Sequence, residues 1–493
     1  MFKGIRKFIE KYEGLFFILI GVVFLRLPTL IEPNRYADED IYLTLGEAFK
    51  RGLVFYRDIH DNKPPLLYVV AGLAGDVSVF RFVLMVWNII GIVFFYVLSG
   101  KFFENKKLRI FLTAVFSVLT TIPLLEGNIS NGEMFMIVPG IMGVLLFFSK
   151  WKADRLRYFA IGLLFAIGFL FKVPILFEFL GILFWWVFVK QKRVFDGVKK
   201  IFDLSLWMII AGFIIPILIS VAYYYSVGAG EVYLRSALMQ NIGYLSSWEG
   251  GGPIWQSELF LRGLIMAVSI LWIFVERDKL GKEFGLVAVW FITALFGALL
   301  SGRPYPHYLI EIVAPACLLL GLMMTARFNL LKWLTGIAFF SLLYVSIIHY
   351  HFWHYENISY YENYLKYVSG RRSYSEYVDY FGNGVKRNYE IAEYISKRTD
   401  RDDFIYVWGT EPAIYDISNR LPVGRYTVSY HVRDFNGFDE TMKAMEKSPP
   451  KFVVWFDNED DFEALILKLE EEYIAVARFD EAVVWKRNDL RVL

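Results

Sequence analysis

The residues of this chain that could do chemistry come in short polar clusters set between long apolar runs. Asp38, Glu39 and Asp40 follow the first run, and Asp58, His60, Asp61 and Lys63 close the same polar stretch. Asn128, Asn131 and Glu133 form a second cluster, Lys172 interrupts a later apolar run, and Arg303, His307, Tyr308 and Glu311 form a late one. A carboxylate can take the proton of an attacking hydroxyl. Arginine and lysine can hold the charge that develops on a departing phosphate, arginine through paired bonds and lysine as a point charge. Carboxylates and cations at one membrane face suit transfer of a sugar from a lipid phosphate. The phosphate is already a leaving group, so this chemistry requires neither a general acid nor a metal.

Each residue also has a plainer account. Asp40, Asp61 and Glu47 read as solvated loop charges, and Asp38 or Glu39 as an N-cap or dipole partner of the helix that follows. Lys172 could snorkel to the interface, and Arg303 with His307 could anchor a span end. Glu178 and Glu311 fall inside apolar runs, where a carboxylate costs about 2.5–3.5 kcal/mol and needs a partner or a wet cavity. The convergence of the set on one membrane face favours chemistry over these separate accounts.

The elements that must position these groups are membrane helices. Of 493 residues, 56% are hydrophobic and 18% aromatic, above the composition of soluble domains. Apolar runs predict about eleven spans, at 14–31, 78–100, 108–125, 133–149, 157–171, 173–190, 204–227, 258–275, 283–301, 307–325 and 329–350. The segment 157–190 divides at Lys172-Val-Pro174 into two helices. No small-residue cleavage site follows the first run, so it reads as a retained span rather than a signal peptide. Lysine and arginine alternate between loops in a way that puts the N-terminus in the cytoplasm. The loops 32–77, 126–132, 228–257 and 302–306 and the C-terminal tail then face outward across the cytoplasmic membrane. Within the first outer loop, 40–50 and 64–76 are too short to span and predict two juxtamembrane helices, the second opened by Pro64-Pro65 and stopped at Gly75.

The fold class expected is therefore a polytopic α-helical membrane protein with a small C-terminal extracytoplasmic α/β domain. The domains expected are a transmembrane domain over 1–350, a Tyr-rich linker over 351–386 and an α/β domain over 387–493. The last should hold helices near 388–398, 412–418, 438–447 and 461–473 and strands at 404–408, 422–428, 452–456, 474–479 and 482–486, in a partly parallel sheet. No G-x-G-x-x-G stretch is present. Cys317 is the single cysteine, which excludes disulfides and cysteine-ligated metal. A net charge of +2 implies no nucleic-acid partner.

Taken in order, these residues resemble the glycosyltransferase C superfamily, in its protein mannosyltransferase-like and aminoarabinose transferase-like branch. The features are the acidic pair Asp38-Glu39; the block Asp58-Ile-His60-Asp61-Asn62-Lys63-Pro64-Pro65-Leu66; Glu126-Gly127-Asn128 through Glu133; Phe171-Lys172-Val-Pro174; and Gly302-Arg303-Pro-Tyr-Pro-His307-Tyr308. The resemblance implies a polyprenyl-phosphate sugar donor and a lipid, glycan or protein acceptor. It implies Asp38 as the catalytic base with Glu39 its neighbour, and Lys172 and Arg303, with His307 and Tyr308, as contacts of the donor phosphate. Asp58, His60, Lys63 and Glu133 are expected to support the substrate. No cofactor is expected; His60, Glu133 and His307 are the set that could hold a divalent metal. A transporter of lipid-linked sugars is the alternative, disfavoured because the polar groups gather at one face and no inverted repeat is visible. A scaffold that merely displays the α/β unit has no need of the dispersed acids and cations.

Overall fold

The structure is a computed structural model and describes residues 2–239, 257–325 and 329–488, with the backbone alone for 2–11. It is a multi-pass helical membrane protein with a small C-terminal α/β domain. All eleven expected spans are helical. Among the described residues, six helices are long and apolar enough to cross a bilayer: Tyr12–Ile31, Val77–Ser99, Leu204–Ser226, Glu258–Val275, Pro306–Thr325 and Leu330–His349. Gly132–Leu146 and Ile175–Val189 are shorter apolar helices. The remaining three, Lys106–Leu119, Asp154–Phe171 and Lys282–Ala298, begin on charged residues that shorten their apolar length.

Contacts gather the chain into two compact units. The first comprises Met1–Leu27, Phe82–Ala222 and Met239–Asn357, and the second Pro28–Arg81, Tyr223–Leu238 and Ile358–Leu493. In the first, Lys282–Ala298 is central, with every residue from Phe284 to Ala298 buried. Glu258–Val275 is the opposite case. Leu261, Leu264, Val268, Leu271 and Val275 recur at helical spacing and are exposed, an apolar stripe suited to lipid. The helices Asp154–Phe171 and Leu204–Ser226 cross on two glycines. A Cβ at Gly162 would strike the Ile209 carbonyl, and one at Gly212 the Phe159 carbonyl. Small residues allow such backbone contact in membranes. Lys172 caps Asp154–Phe171 in an extended conformation, and Ile175–Phe184 restarts after Pro174, as the Pro-marked turn predicts.

The second unit contains both expected juxtamembrane helices, Ala37–Lys50 and Leu66–Ala74. They meet backbone to backbone, since a Cβ on Gly46 would collide with the Gly72 amide. The Tyr-rich stretch holds two helices, Asn357–Val368 and Tyr374–Asp379. The sheet runs in the order β1-β2-β4-β3, with β1 Ile405–Trp408, β2 Phe452–Phe456, β3 Tyr473–Phe479 and β4 Ala482–Arg487. β1 and β2 are parallel and the other pairs antiparallel. β1 is buried on both faces, between an Ile391/Ile395/Val454 cluster and a Val432/Met445/Leu465 cluster, so it reads as an unbroken apolar run. One expected strand is absent: 422–428 makes a single bridge, Pro422 to Ile405. Pro422 has no N–H for a ladder, and Gly424 turns the chain at φ 74. The segment instead leads into an unexpected helix, Ser429–Asp434.

A buried amide ties the first-loop helix to the C-terminal domain within this unit. Asn34 Nδ2 donates to Asp40 Oδ1 at 2.6 Å and to Asp416 Oδ2 at 2.8 Å. Tyr389 donates its hydroxyl to Asn34 Oδ1 at 3.0 Å. Asp40 is therefore a buried fastening and not a solvated loop charge. Burial pushes the Asp416 carboxyl up to about 7 from 3.8, against the Asn34 bond and with Asp76, Glu39 and Glu47 adding to the rise. Burial and Asp416 likewise push Asp40 upward. A carboxyl raised in the folded state stabilises most when protonated, so this contribution is full below pH 3.8 and is lost as pH rises through about 7. Thermal unfolding across that window should show Asp416→Asn gaining on the parent as pH rises. Parallel pH curves for the two proteins would refute the assignment.

Candidate active site

The second unit assembles the first-loop residues. The helix Ala37–Lys50 begins with Asp38, Glu39 and Asp40 in its first turn, where carboxylates suit the helix dipole. Their fates differ. Glu39 and Arg81 are both wholly buried and joined by a forked ion pair, with Arg81 Nη2 at 2.6 Å and Nε at 3.1 Å from Glu39 Oε2. Arg81 also donates to the carbonyls of Glu32 at 2.7 Å and Thr29 at 3.2 Å. Glu39 is thus committed to holding the loop. Asp40 is fastened to Asn34. Asp38 alone of the three reaches solvent, its side chain 28% exposed against 1% for Glu39.

Asp38 Oδ2 accepts from the Tyr42 hydroxyl at 2.9 Å and faces Lys63 Nζ at 3.6 Å. The same ammonium stands 3.6 Å from Asp61 Oδ2. Asp61, read from sequence as a solvated charge, is buried. It accepts from the Tyr68 hydroxyl at 3.0 Å and from the Asn62 amide at 2.8 Å. Lys63 therefore lies between two carboxylates, one wet and one dry. The rigid Pro64-Pro65 step that starts Leu66–Ala74 fixes where Lys63 leaves the loop. His60 is buried, and burial, with His431 and Arg425 nearby, pushes it well below the ordinary histidine range. Asp58 accepts from Arg57 at 2.7 Å and from the Val54 amide at 2.8 Å, the bonds of a loop staple.

The first unit assembles the remainder. Glu133 sits in the first turn of Gly132–Leu146, wholly buried, and forms an ion pair with Lys172. Lys172 Nζ lies 4.6 Å from the centre of the Tyr308 ring, within range of cation–π attraction. His307 Nδ1 is hydrogen-bonded to Glu126, and its Nε2 stands 3.8 Å from Glu133 Oε1. Tyr355 donates its hydroxyl to Glu126 Oε1 at 2.6 Å. Arg303 is on the turn just before Pro306–Leu309, the short helix that carries His307 and Tyr308. The second outer loop is held from below: Arg26 Nη2 donates to the carbonyls of Thr120 at 2.9 Å and Gly127 at 2.7 Å, and Asn88 to Thr120 at 3.1 Å. Glu126 accordingly keeps a left-handed φ of 54, a conformation that costs roughly 1–2 kcal/mol for a residue with a side chain. Deeper in the bundle, Trp290 donates to Glu178 at 2.5 Å.

Sequence reasoning named Glu126 only as part of a motif, and Tyr355, Arg81 and His431 not at all. Arg81 carried a usable signal, because a guanidinium one turn inside a span requires a carboxylate partner. Of the metal set, Glu133 and His307 are neighbours in one unit, whereas His60 belongs to the other. Among the described residues, no three His, Cys, Asp or Glu side chains are grouped to hold a metal ion.

No protein-family model matches the sequence, and no curated protein matches it. Solved structures do. The chain is similar to ArnT from Cupriavidus metallidurans bound to undecaprenyl phosphate, with a TM-score of 0.55 and 13% identity over 97% of this chain and 98% of that one. It is similar to the same protein in the apo state, with a TM-score of 0.54 and 13% identity over 95% and 97%. At this identity the likeness is one of fold, and in fold it agrees with the resemblance drawn from the sequence motifs.

Removing one member of a buried pair leaves the other charge stranded, at about 3–5 kcal/mol. Glu39→Gln should therefore lower thermal stability sharply. The double variant Glu39→Met/Arg81→Met should recover most of the loss, which a double-mutant cycle in detergent can read. Equal stability of Glu39→Gln and the parent would show that the pair is not what holds the loop.

Proposed function

We propose that this protein is a membrane glycosyltransferase that uses a polyprenyl-phosphate-linked sugar donor, with Asp38 as its general base. The observation that carries the reading is the separation of roles in the acidic trio: two carboxylates are locked in buried contacts, and the solvent-reaching one stands beside a lysine. The fold supports it, since the ArnT structure of the same fold holds undecaprenyl phosphate. Asp38 takes the proton of the acceptor hydroxyl as its oxygen bonds to the anomeric carbon. The bond from that carbon to the phosphate oxygen breaks, and the electron pair leaves with the lipid phosphate. Lys172 and Arg303 stabilise that charge, with His307 and Tyr308 as further contacts of the donor phosphate. Lys172 has three N–H donors, so pairing with Glu133 leaves others for phosphate oxygens. The acceptor is a lipid, a glycan or a protein at the outer face of the cytoplasmic membrane.

Full-length protein in vesicles, supplied with a purified polyprenyl-phosphate sugar, provides the assay. Asp38→Asn should lower transfer by about 10²–10⁴-fold, and Lys172→Ala should weaken donor binding. Full transfer by Asp38→Asn would refute the base. Passage of intact lipid-linked sugar across the bilayer, with no bond cleaved, would make the protein a transporter.

The orientation follows from loop charge and is checked by labelling. Cys317 is buried, and Lys192 and Arg401 are exposed. Maleimide should reach Arg401→Cys from outside intact cells and Lys192→Cys only after permeabilisation. Labelling of both from one side would sink the arrangement.

A further inference from the structure

The C-terminal domain delivers a histidine to the first-loop acids. The segment 425–431 docks on the loop within the second unit: the His60 amide donates to the Arg425 carbonyl at 2.8 Å, and Arg425 Nη1 donates to the Tyr56 carbonyl at 3.3 Å. The helix Ser429–Asp434 then places His431 Nε2 at 3.8 Å from Asp61 Oδ1. Its ring is buried, edge-on to His60 with centroids 5.4 Å apart and 5.8 Å from Phe435. His431 Nδ1 is buried with no hydrogen-bond partner. In the tautomer that carries its proton on Nε2, the ring presents Nδ1 as an acceptor. That Nε2–H faces Asp61 Oδ1 across 3.8 Å, longer than a direct hydrogen bond, as an N–H dipole beside the carboxylate. The charged groups that act on this ring are Asp61, Lys63, Asp434 and Asp38. Burial keeps it below the ordinary histidine range, with Asp61 opposing.

We propose that His431 is a positioning residue of the reaction site: by directing an N–H at Asp61, it sets how Lys63 is divided between Asp61 and Asp38. The inference rests on the reading of Asp38 as the base. The balance of charge gives its consequence. The Asp61 charge is met by Lys63, by hydrogen bonds from Tyr68 and Asn62, and by the N–H dipole of His431 at 3.8 Å. Without the histidine dipole, the Asp61 charge depends more on Lys63 and draws it away from Asp38, so Asp38 becomes more basic. Without the Asp61 charge, Lys63 shifts toward Asp38, which becomes less basic. The two losses therefore move the base in opposite directions, which general loosening of the fold would not do.

The experiment uses the full-length protein in vesicles and two readouts. In the pH profile of transfer, the acid limb should move up by about half a unit in His431→Leu and down by a comparable amount in Asp61→Asn. His431→Asn, which restores an N–H donor, should lie nearer the parent. The second readout needs no turnover: competitive acetylation of Lys63 with acetic anhydride, quantified by peptide mass spectrometry. Lys63 should react on the order of threefold more slowly in His431→Leu and faster in Asp61→Asn, a shift equivalent to half a pKa unit. Unchanged Lys63 reactivity in His431→Leu, or acid limbs that move the same way in both variants, would overturn the proposal. Asp38→Asn assayed in parallel separates the two claims. If it retains transfer, the base assignment fails, and Lys63 reactivity still decides the role of His431.

Discussion

The structure depends on one constraint: a charge taken into apolar surroundings must find a partner there. Arg81 enters the membrane-helix stretch Val77–Ser99 in its first turns and is wholly buried. An unpaired guanidinium in that position costs several kcal/mol, and Glu39 meets it with a forked pair. Meeting it fixes the helix Ala37–Lys50 in rotation. Asp38 precedes Glu39 and Asp40 follows it, so once Glu39 points at Arg81 the flanking side chains take other faces of the helix. Asp40 turns toward Asn34 and Asp38 toward Tyr42 and Lys63. The accessibility of one carboxylate out of three is thus a consequence of satisfying a buried arginine.

The same constraint shapes the other cluster. Glu133 is buried at the head of an apolar helix, and Lys172 and His307 stand against it. Glu126 answers His307 in turn and accepts from Tyr355. Its left-handed backbone is held by Arg26, whose side chain is spent on the carbonyls of Thr120 and Gly127. Strain of this kind persists where surrounding bonds over-determine the conformation. Here those bonds come from a buried arginine, as they do in the first loop. Both clusters use a membrane-buried guanidinium to shape a polar loop.

Much of the fold was legible because it is written in apolar length. The spans, the Lys172-Val-Pro174 break and the two juxtamembrane helices follow from hydrophobic runs and proline positions alone. β1 and β2 were legible as two unbroken apolar stretches, and their parallel pairing only as part of a partly parallel sheet. The motif residues of the site were legible by type, but their roles were not. Asp40 and Asp61 look like any loop acids until Asn34, Tyr68 and Lys63 are seen around them, and those partners depend on pairing across long sequence separations. Arg81 was legible in principle as a charge in a span, yet only the fold names Glu39 as its answer. The misread segment 422–428 shows the local limit. Its Val423, Tyr426 and Val428 favour a strand, and Pro422 with Gly424 overrides them.

The C-terminal sheet domain belongs, by contact, with the first loop. Composition changes at residue 351, so a reader of the sequence separates the tail from the loop. The contacts across that separation are polar and specific: Asp416 to Asn34, Tyr360 to Glu32 at 2.7 Å, Arg425 to Tyr56, and His431 beside Asp61. A domain attached only for display would not need to bury histidine and aspartate against a loop, because burying them costs free energy unless they are matched. Matching them constrains the loop, and the loop carries Asp38 and Lys63. The tail therefore constrains the first loop through the same device that orients Asp38: buried polar groups whose partners leave them one arrangement.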